Sequence, residues 1–443
     1  MLDARPQSQR TRDSNRKRIK APVTGAIESP ATGQEHASPI PFPFRSFLLC
    51  RFACLPPPLS RPQQPAAGTM RSSAVAVPVP VRRQLLPCLA LLLLAGAASA
   101  QAQKYNAVFN FGDSITDTGN LCTSGKPTAI TFTQPPYGET YFGTPTCRCS
   151  DGRVIVDFLS TKFGVPFLPP SKANGTDFKQ GANMAITGAT AMDAPFFRGL
   201  GLSDKIWNNG PISFQIQWFQ QITATVCGND CKRYLRDSLV VFGEFGGNDY
   251  NAMLFGNYNP DQASRYTTKI VNTIIRGVEK VVAMGARDVV VPGVLPIGCF
   301  PIYLTVYGTN SSADYDSLGC LRKFNDLSTF HNNLLQAKIA RLRKRYGRAA
   351  RIMYADFYSA VYDMVQNPSK YGFNAVFEAC CGSGGGKYNY ANRARCGMPG
   401  AAACANPADH LSWDGIHLTE AAYKHISDGW LNGPYSSPPI LHT

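Results

Sequence analysis

Short apolar runs alternate with long amphipathic segments between residues 104 and 356, and this alternation restricts the fold more than any other feature of the chain. The predicted strands are residues 104–111, 238–243, 288–291 and 351–356. Apolar residues recur at helical spacing between Asp261 and Gly285, and again from Phe324 to Leu342. Strands that alternate with long helices predict one α/β domain, in which a parallel sheet is covered on both faces.

The first 100 residues do not fit that domain. Basic residues after Met70 precede an apolar run at 85–94, and Ala98-Ser99-Ala100 follows, which is the pattern of a secretory signal peptide at 70–100. The apolar run is too short for a membrane span, which needs about 20 residues. Residues 101–443 are therefore predicted to form a single exported domain.

Residues 1–69 are rich in Arg, Pro, Gln and Ser and show no sustained apolar period, so they cannot bury a core. Two interpretations compete for them: a disordered extension, or an upstream stretch that is not part of the real product. The second is favoured, because a signal peptide works at an N-terminus.

The net charge argues against a nucleic-acid partner once the chain is divided in this way. The full chain has 44 Lys and Arg against 29 Asp and Glu, a net charge of +15. Residues 1–100 hold 13 of the basic and 4 of the acidic residues, which leaves +6 for residues 101–443. Clustered cations would be needed to neutralise phosphates, and most of the excess lies outside the predicted domain.

Eleven of the 14 cysteines follow residue 100, and so many in an exported chain indicate disulfides. Local pairs Cys227 with Cys231 and Cys299 with Cys320 are plausible, whereas the cluster from Cys380 to Cys404 allows several connectivities. A zinc site is the rival interpretation, but no Cys-x-x-Cys pair with matching histidines is present. Two sequons predict glycosylation, and they begin at Asn174 and Asn310.

A serine directly follows the first predicted strand, in Gly112-Asp113-Ser114. In a parallel sheet the functional residues lie at the carboxyl ends of the strands. The glycine allows a tight turn that presents the serine hydroxyl at the edge of the sheet. Gly-Asp-Ser is also common in ordinary turns, because Asp and Ser bond to their own backbone. Ser114 is a candidate nucleophile whose role depends on its neighbours.

Near the C-terminus, Asp414 and His417 are spaced so that they can meet on one turn. The carboxylate can then fix the imidazole tautomer, which leaves the other ring nitrogen free to take a proton from a serine. The alternative is a loop aspartate followed by a partly buried histidine. His331 lies on a predicted helix face, and His410 and His425 have no acidic partner at the same spacing. His417 is therefore the candidate general base.

Two further segments could supply the hydrogen-bond donors that an acyl-transfer transition state needs. Gly188 lies in a loop of small residues at 181–190, where its backbone amide could serve. Asn248 follows the second predicted strand and offers a side-chain amide. Each segment alone is more often a turn. Taken with Ser114 and the Asp414–His417 turn they are more specific, because each falls where an α/β site would place it.

The order of these four elements resembles that of the GDSL, or SGNH, hydrolases, and the text between them resembles the plant branch of that family. The further motifs that carry the resemblance are Pro135-Pro136-Tyr137-Gly138-Glu139-Thr140, Cys149-Ser150-Asp151-Gly152-Arg153, Leu295-Pro296-Ile297-Gly298-Cys299 and Trp413-Asp414-Gly415-Ile416-His417. The match runs from about Ala107 to about Trp430 and implies a three-layer α/β/α sandwich with a flavodoxin-like parallel sheet. No Gly-x-Ser-x-Gly elbow surrounds Ser114, which argues against the α/β-hydrolase fold.

The resemblance also implies a role for each candidate residue. Ser114 would be the nucleophile and an oxyanion donor, Gly188 and Asn248 would complete the oxyanion hole, and His417 would be a base oriented by Asp414. No metal and no organic cofactor are implied. Two departures from the family pattern are small. Ile115 replaces the leucine of the family name, and Cys147, beside Cys149, is expected to be the odd thiol.

The expected function is hydrolysis of a carboxylic ester outside the cell or in the vacuole, since no C-terminal retention signal is present. The substrate would be a lipid, an acetylated cell-wall sugar or a small-metabolite ester, with small and sugar esters favoured because no apolar lid is evident. A secreted carbohydrate-binding or structural protein that kept the fold is the alternative. Four aromatic residues after Gly188 could contact substrate, although most are expected in the core: Phe196, Phe197, Trp207 and Trp218.

Overall fold

The computed structural model describes residues 105–441, apart from residues 124, 126–129 and 208. The predicted signal peptide at 70–100 and the predicted upstream segment at 1–69 lie outside the described residues. Within the described part of the chain, no helix is both long and apolar enough to cross a membrane.

A six-stranded sheet organises the described residues, and four short strands lie outside it. In chain order the strands are β1 (Val108–Phe111), β2 (Gly181–Asn183), β3 (Leu239–Phe242), β4 (Asp288–Pro292), β5 (Arg351–Ala355), β6 (Ala375–Ala379), β7 (Cys381–Gly382), β8 (Ala402–Ala403), β9 (His410–Ser412) and β10 (Ser436–Ser437). The sheet has the order β2-β1-β3-β4-β5-β10. Its first five strands are parallel, and β10 joins β5 antiparallel.

This strand order confirms the predicted flavodoxin-like α/β class, because 2-1-3-4-5 is the flavodoxin order. The antiparallel edge strand β10 was not predicted, so the sheet is mixed and not wholly parallel. The four predicted strands are present, although β1 begins at Val108 where the prediction began at residue 104. Every residue of β1 and β3 is buried, as expected for parallel strands covered on both faces.

Helices occupy the segments between the strands. In chain order they are α1 (Ile155–Phe163), α2 (Ala194–Gly199), α3 (Ile212–Cys227), α4 (Cys231–Arg236), α5 (Gly247–Leu254), α6 (Pro260–Ser264), α7 (Thr267–Met284), α8 (Pro301–Tyr307), α9 (Arg322–Tyr346), α10 (Phe357–Gln366), α11 (Pro368–Tyr371) and α12 (Glu420–Asn432). The two predicted helices are confirmed as α7 and α9. Gly285 ends α7 with a φ of 123°, a conformation that favours glycine.

The helices cover both faces of the sheet because the chain runs in two directions across it. From β1 it crosses to β2 on one side, and from β3 it crosses to β4 and β5 on the other. Right-handed crossovers in opposite directions leave their helices on opposite faces. In agreement, α7 packs on α3 and α9, whereas α12 packs on α1 and α10. The result is the expected three-layer α/β/α arrangement.

Five disulfide bonds lie in the described residues, and they correct one expectation. The local pairs Cys227–Cys231 and Cys299–Cys320 form as expected, and the late cluster pairs as Cys380–Cys404 and Cys381–Cys396. Cys147 was expected to be the odd thiol, but this was wrong, because Cys147 pairs with Cys122. Among the described cysteines, Cys149 is the one without a disulfide bond, and it is fully buried. The prediction chose the wrong thiol because sequence spacing does not encode which of the two faces Cys122.

Candidate active site

Ser114 lies at the carboxyl end of β1, at the point where the strand order reverses between β2 and β3. Gly112 makes this turn possible, since a Cβ on it would lie 2.9 Å from the Gly243 carbonyl oxygen that follows β3. The Gln215 side chain fixes the turn by accepting from the Gly112 N–H at 3.0 Å and donating to its carbonyl at 2.7 Å. The crevice at such a reversal is where open α/β sheets bind ligands.

The structure brings Ser114, His417 and Asp414 together in one hydrogen-bonded chain, although 303 residues separate Ser114 from His417. His417 Nε2 lies 2.8 Å from Ser114 Oγ, and its Nδ1 lies 2.7 Å from Asp414 Oδ2. Asp414 Oδ1 also accepts from the backbone N–H groups of Ile416 and His417, which closes the turn. All three side chains are buried. Nδ1 must carry the proton shared with the carboxylate, so Nε2 is free to accept one from the serine.

The electrostatics of Asp414 keep it ionised. Burial alone would raise its pKa, but the charge of His417 and the hydrogen bonds from His417 and Ile416 together lower it to about 2. The hydroxyl of Tyr137 adds a donor to Asp414 Oδ2 at 2.8 Å. Ser412 braces the same turn, since its Oγ accepts from Gly415 N–H and donates to the His417 carbonyl. The carboxylate is thus held in one position, which fixes the imidazole.

Two backbone N–H groups of the cavity lining, those of Ser114 and Gly188, are candidate oxyanion donors. Among the described residues, neither Ser114 N–H nor Gly188 N–H donates a hydrogen bond to protein. Gly188 lines the same cavity as Ser114 and has a φ of 80°, a conformation that L side chains rarely adopt. A Cβ on Gly188 would lie 3.0 Å from Trp207 Cβ. Within the described residues, both N–H groups therefore keep a hydrogen for a ligand, which is what an oxyanion donor needs.

Asn248 lies at the site as predicted, but its amide is already engaged. Asn248 Nδ2 donates to Asp113 Oδ2 at 2.6 Å and to the Ala189 carbonyl at 3.0 Å. An NH₂ group has two protons, so Asn248 can serve an oxyanion only by sharing or redirecting one of them. Burial raises the pKa of Asp113 to about 7, although hydrogen bonding to the Ile115 N–H lowers it in part.

The loop that carries Gly188 is held from two sides by buried carboxylates. Asp117 Oδ2 accepts from the N–H and the hydroxyl of Thr187 at 2.9 and 3.1 Å. Asp249 accepts from the N–H groups of Ala191 and Met192 at 2.7 and 2.9 Å. These contacts hold the backbone on both sides of Gly188 and so limit the movement of its N–H.

A cavity of about 370 Å³ opens over Ser114 and His417. Its apolar lining includes Phe132, whose ring meets the His417 ring edge-on with centroids 5.6 Å apart. Of the four aromatic residues considered above, Trp207 lines the cavity and is 49% exposed, whereas Phe197 is fully buried in the core. Phe196 and Trp218 are partly buried against that core. The expectation that most of the four belong to the core is confirmed, with Trp207 as the exception.

One group of potential metal ligands lies in the described residues, away from the serine: Cys380, Cys404 and His410. Cys380 and Cys404 are joined in a disulfide bond, so neither sulfur is a thiolate and the group does not fit a metal site. The predicted glycosylation sites Asn174 and Asn310 are exposed, and glycosylation there stays a prediction.

Comparison with known proteins agrees with this geometry. A family model described as GDSL-like lipase/acylhydrolase matches residues 108–430. The chain belongs to the GDSL lipase/acylhydrolase family. A GDSL esterase/lipase of Arabidopsis thaliana is 41% identical over 344 residues, which cover 76% of this chain and 92% of the relative. The sinapine esterase of Brassica napus is 40% identical over 355 residues, which cover 78% of this chain and 90% of the relative.

Among solved structures, an alpha/beta hydrolase enzyme from the metagenome of Lake Arreo aligns with 74% of this GDSL chain and 96% of its own. The identity is 14% and the TM-score is 0.33. The family match confirms the resemblance noted in the sequence. As a GDSL esterase/lipase, the protein is a carboxylic ester hydrolase.

Sequence reasoning missed two supporting contacts of this GDSL site. Tyr137 was noted only as part of a family motif, and its hydrogen bond to Asp414 spans 277 residues. Asp113 was noted only as a turn residue, and its bond to Asn248 spans 135 residues. The one signal that could have marked them is their place in motifs beside the candidate residues.

Proposed function

We propose that the protein is an exported serine esterase that works through an acyl-enzyme, with Ser114 as nucleophile, His417 as general base and Asp414 as the residue that orients it. The hydrogen bond of 2.8 Å between His417 Nε2 and Ser114 Oγ carries this proposal. A serine hydroxyl becomes a useful nucleophile only when an adjacent base accepts its proton. The Asp414 carboxylate on the far side of the ring stabilises the imidazolium that results.

In the first half of the reaction, Ser114 Oγ attacks the ester carbonyl carbon while His417 Nε2 takes its proton. The carbonyl oxygen becomes an oxyanion facing the N–H groups of Ser114 and Gly188, and Asn248 supports it by redirecting one amide proton. The bond from carbon to the alcohol oxygen then breaks, and His417 gives its proton to the leaving alcohol. The acyl group remains on Ser114.

In the second half, His417 accepts a proton from a water molecule as the water oxygen attacks the acyl carbon. The same donors stabilise the second oxyanion. Collapse breaks the bond to Ser114 Oγ, which regains a proton from His417, and the carboxylic acid leaves. No step needs a metal or an organic cofactor.

The cavity supports a substrate of moderate size. A volume of about 370 Å³ lies at the small end of typical ligand sites. Aromatic side chains that line it include Phe132, Trp207 and Phe255. A relative at 40% identity carries the name sinapine esterase, so the family includes an enzyme named for one particular ester. We therefore propose a small-metabolite or sugar ester in preference to a long-chain lipid.

Export is proposed on two grounds. The signal-peptide pattern at 70–100 belongs to a secreted or vacuolar protein. The five disulfide bonds are also of the kind that persists in oxidising compartments.

The test uses secreted protein, an acetyl and a longer-chain chromogenic ester, and the variant Ser114→Ala. Loss of the nucleophile should lower kcat by about 10⁶-fold, so that turnover falls to the background rate. Wild type should also be labelled at Ser114 by a fluorophosphonate. Folded wild type with neither labelling nor turnover above the variant would overturn the mechanism and favour the binding-protein alternative.

A further inference from the structure

Arg395 lines the cavity over Ser114 and is exposed. Among the described residues, its guanidinium has no carboxylate within ion-pair distance and makes no hydrogen bond to protein. The other lysine or arginine of the lining, Lys205, is different, because its ammonium pairs with Asp204 at 2.7 Å. Arg395 is therefore the cation in this cavity whose charge is left for a ligand.

The rest of the lining does not offset that charge. Within the described residues, the cavity is lined by aromatic, aliphatic, hydroxyl and amide side chains together with His417, and by no Asp or Glu. Asp414 lies behind His417, hydrogen-bonded to it and to Tyr137. The segment from residue 379 to residue 408 contains three cations and no acidic residue. An anion that binds beside Arg395 thus meets a positive charge that no acidic side chain of the described lining neutralises.

Covalent and hydrogen-bonded links fix the backbone beside Arg395 relative to the turn that carries Asp414 and His417. The next residue, Cys396, is joined to Cys381. The Cys381 N–H in turn donates to the carbonyl of Trp413 at 2.6 Å, immediately before Asp414. On the other side of Arg395, a Cβ on Gly397 would lie 2.5 Å from the Thr131 carbonyl oxygen, so this segment packs closely against the turn that carries Phe132. The backbone at Arg395 is therefore anchored, and the residue lines the cavity.

We propose that Arg395 is an anion-recognition residue, and that the preferred substrates are esters that carry a carboxylate away from the scissile bond together with an aromatic ring. A guanidinium presents a planar fork that matches a carboxylate in two parallel hydrogen bonds. Aromatic side chains from four parts of the chain supply the ring-binding surface beside it: Phe132, Trp207, Phe255 and Tyr390. This inference rests on the proposed esterase function and names the chemistry that its cavity selects.

The same arrangement disfavours a cationic substrate. Arg395 would repel a quaternary ammonium group, and no acidic residue of the described lining would offset its charge. Aromatic rings alone can hold such a cation, so the two possibilities give opposite orders of preference. An anionic ester should be hydrolysed best, a neutral one next and a choline ester least.

The experiment measures kcat/KM for pairs of cinnamoyl-type esters that differ in one charged group. One pair carries a carboxylate or a hydroxymethyl group on the alcohol part, a second carries the same two groups on the acyl part, and a choline ester provides the cation. For wild type we expect an anionic-to-neutral ratio of about ten in at least one pair. Because the contact is exposed, the ratio should shrink at high salt.

Three variants assign the effect to Arg395. Arg395→Ala should bring the ratio close to one, and Arg395→Lys should keep part of it, because the charge remains while the fork is lost. Arg393→Ala removes an equal charge from an exposed residue of the same segment outside the cavity lining, and it should leave the ratio unchanged. Ser114→Ala should abolish turnover of every ester, neutral ones included.

These readouts separate the two proposals. Turnover that depends on Ser114 but shows no anionic preference in either pair would overturn the role of Arg395 and leave the esterase mechanism intact. A preference that survives Arg395→Ala, or that falls equally in Arg393→Ala, would also overturn it. A choline ester preferred over both others would do the same and would point to the aromatic rings. Turnover that persists in Ser114→Ala would instead contradict the esterase mechanism.

Discussion

Ser114 and His417 approach each other from two regions that are built differently. The serine follows a strand inside the six-stranded sheet, and backbone packing against Gly243 together with the Gln215 side chain fixes its turn. Asp414 and His417 lie on a turn after β9, a strand that is outside that sheet and pairs with β6. This second region is held by Tyr137 and by two adjoining disulfide bonds.

Because the two regions are held differently, mutations in them should affect activity and stability differently. The position of Ser114 depends on contacts of the central sheet, so it should persist until the whole domain unfolds. The position of His417 depends on a few side chains and on covalent links across a segment with little regular structure. Substitutions in the second region should therefore lower activity much more than they lower the thermal stability of the domain.

The strongest test of this comparison removes the charge that holds His417. Asp414→Asn keeps the shape of the side chain but should lower kcat by about 10⁴-fold, because an amide no longer fixes the tautomer or stabilises the imidazolium. Steady-state kinetics and thermal unfolding should be measured together. Unfolding should shift far less than activity, since the turn lies outside the sheet.

Tyr137→Phe is the matched control, because it keeps the carboxylate and removes one of its donors. The loss of one hydrogen bond to a charged group should lower kcat by roughly tenfold or more, and far less than Asp414→Asn does. Equal losses in the two variants would mean that Asp414 acts mainly through its contact with Tyr137, and not through its charge on the imidazole.

The sequence predicted where the strand-end residues lie, for a physical reason. Ser114 and Asn248 follow runs of apolar residues whose burial fixes the sheet, so their meeting follows from the α/β pattern. The partners that lie between sequence-distant loops had no such signal. The hydrogen bond between Asn248 and Asp113, for example, depends on side-chain geometry and not on hydrophobic periodicity. The same limit explains why Cys147 was predicted to be the odd thiol, although Cys149 is the unpaired one of the two.

The antiparallel strand β10 was missed for a related reason. It has two residues, Ser436 and Ser437, and neither belongs to an apolar run. Pairing with β5 is therefore set by backbone geometry at the edge of the sheet, which hydrophobic periodicity does not report.

The next test concerns the region of Ser114 and is smaller in size. Gly188→Ala should lower kcat by about 10²–10³-fold, because a Cβ strains the backbone at a φ of 80° and presses on Trp207, which displaces an oxyanion donor. Gly201→Ala is the matched control, since Gly201 has a φ of 73° and open space around its Cβ. Similar losses of activity in both variants would contradict the role of the Gly188 amide.

The smallest loss of activity should come from removing a disulfide bond, and it tests directly whether covalent links hold the His417 region. Replacing Cys381 and Cys396 with serine frees the segment that carries Arg395 and loosens its link to Trp413. A displacement of about 1 Å can cost up to 10²-fold, so kcat/KM should fall by roughly tenfold. The control replaces Cys227 and Cys231, which join α3 to α4 away from the cavity, and should change kcat/KM by less than about twofold.

Both disulfide variants must be assayed well below their unfolding temperatures. The two bonds close loops of different length, with sequence separations of 15 and 4 residues, so their contributions to stability differ. A selective loss of activity in the Cys381 and Cys396 variant would show that the His417 region depends on its covalent links. Equal and small losses would mean that hydrogen bonds such as Tyr137 to Asp414 are sufficient, and that the two regions are equally robust despite their different construction.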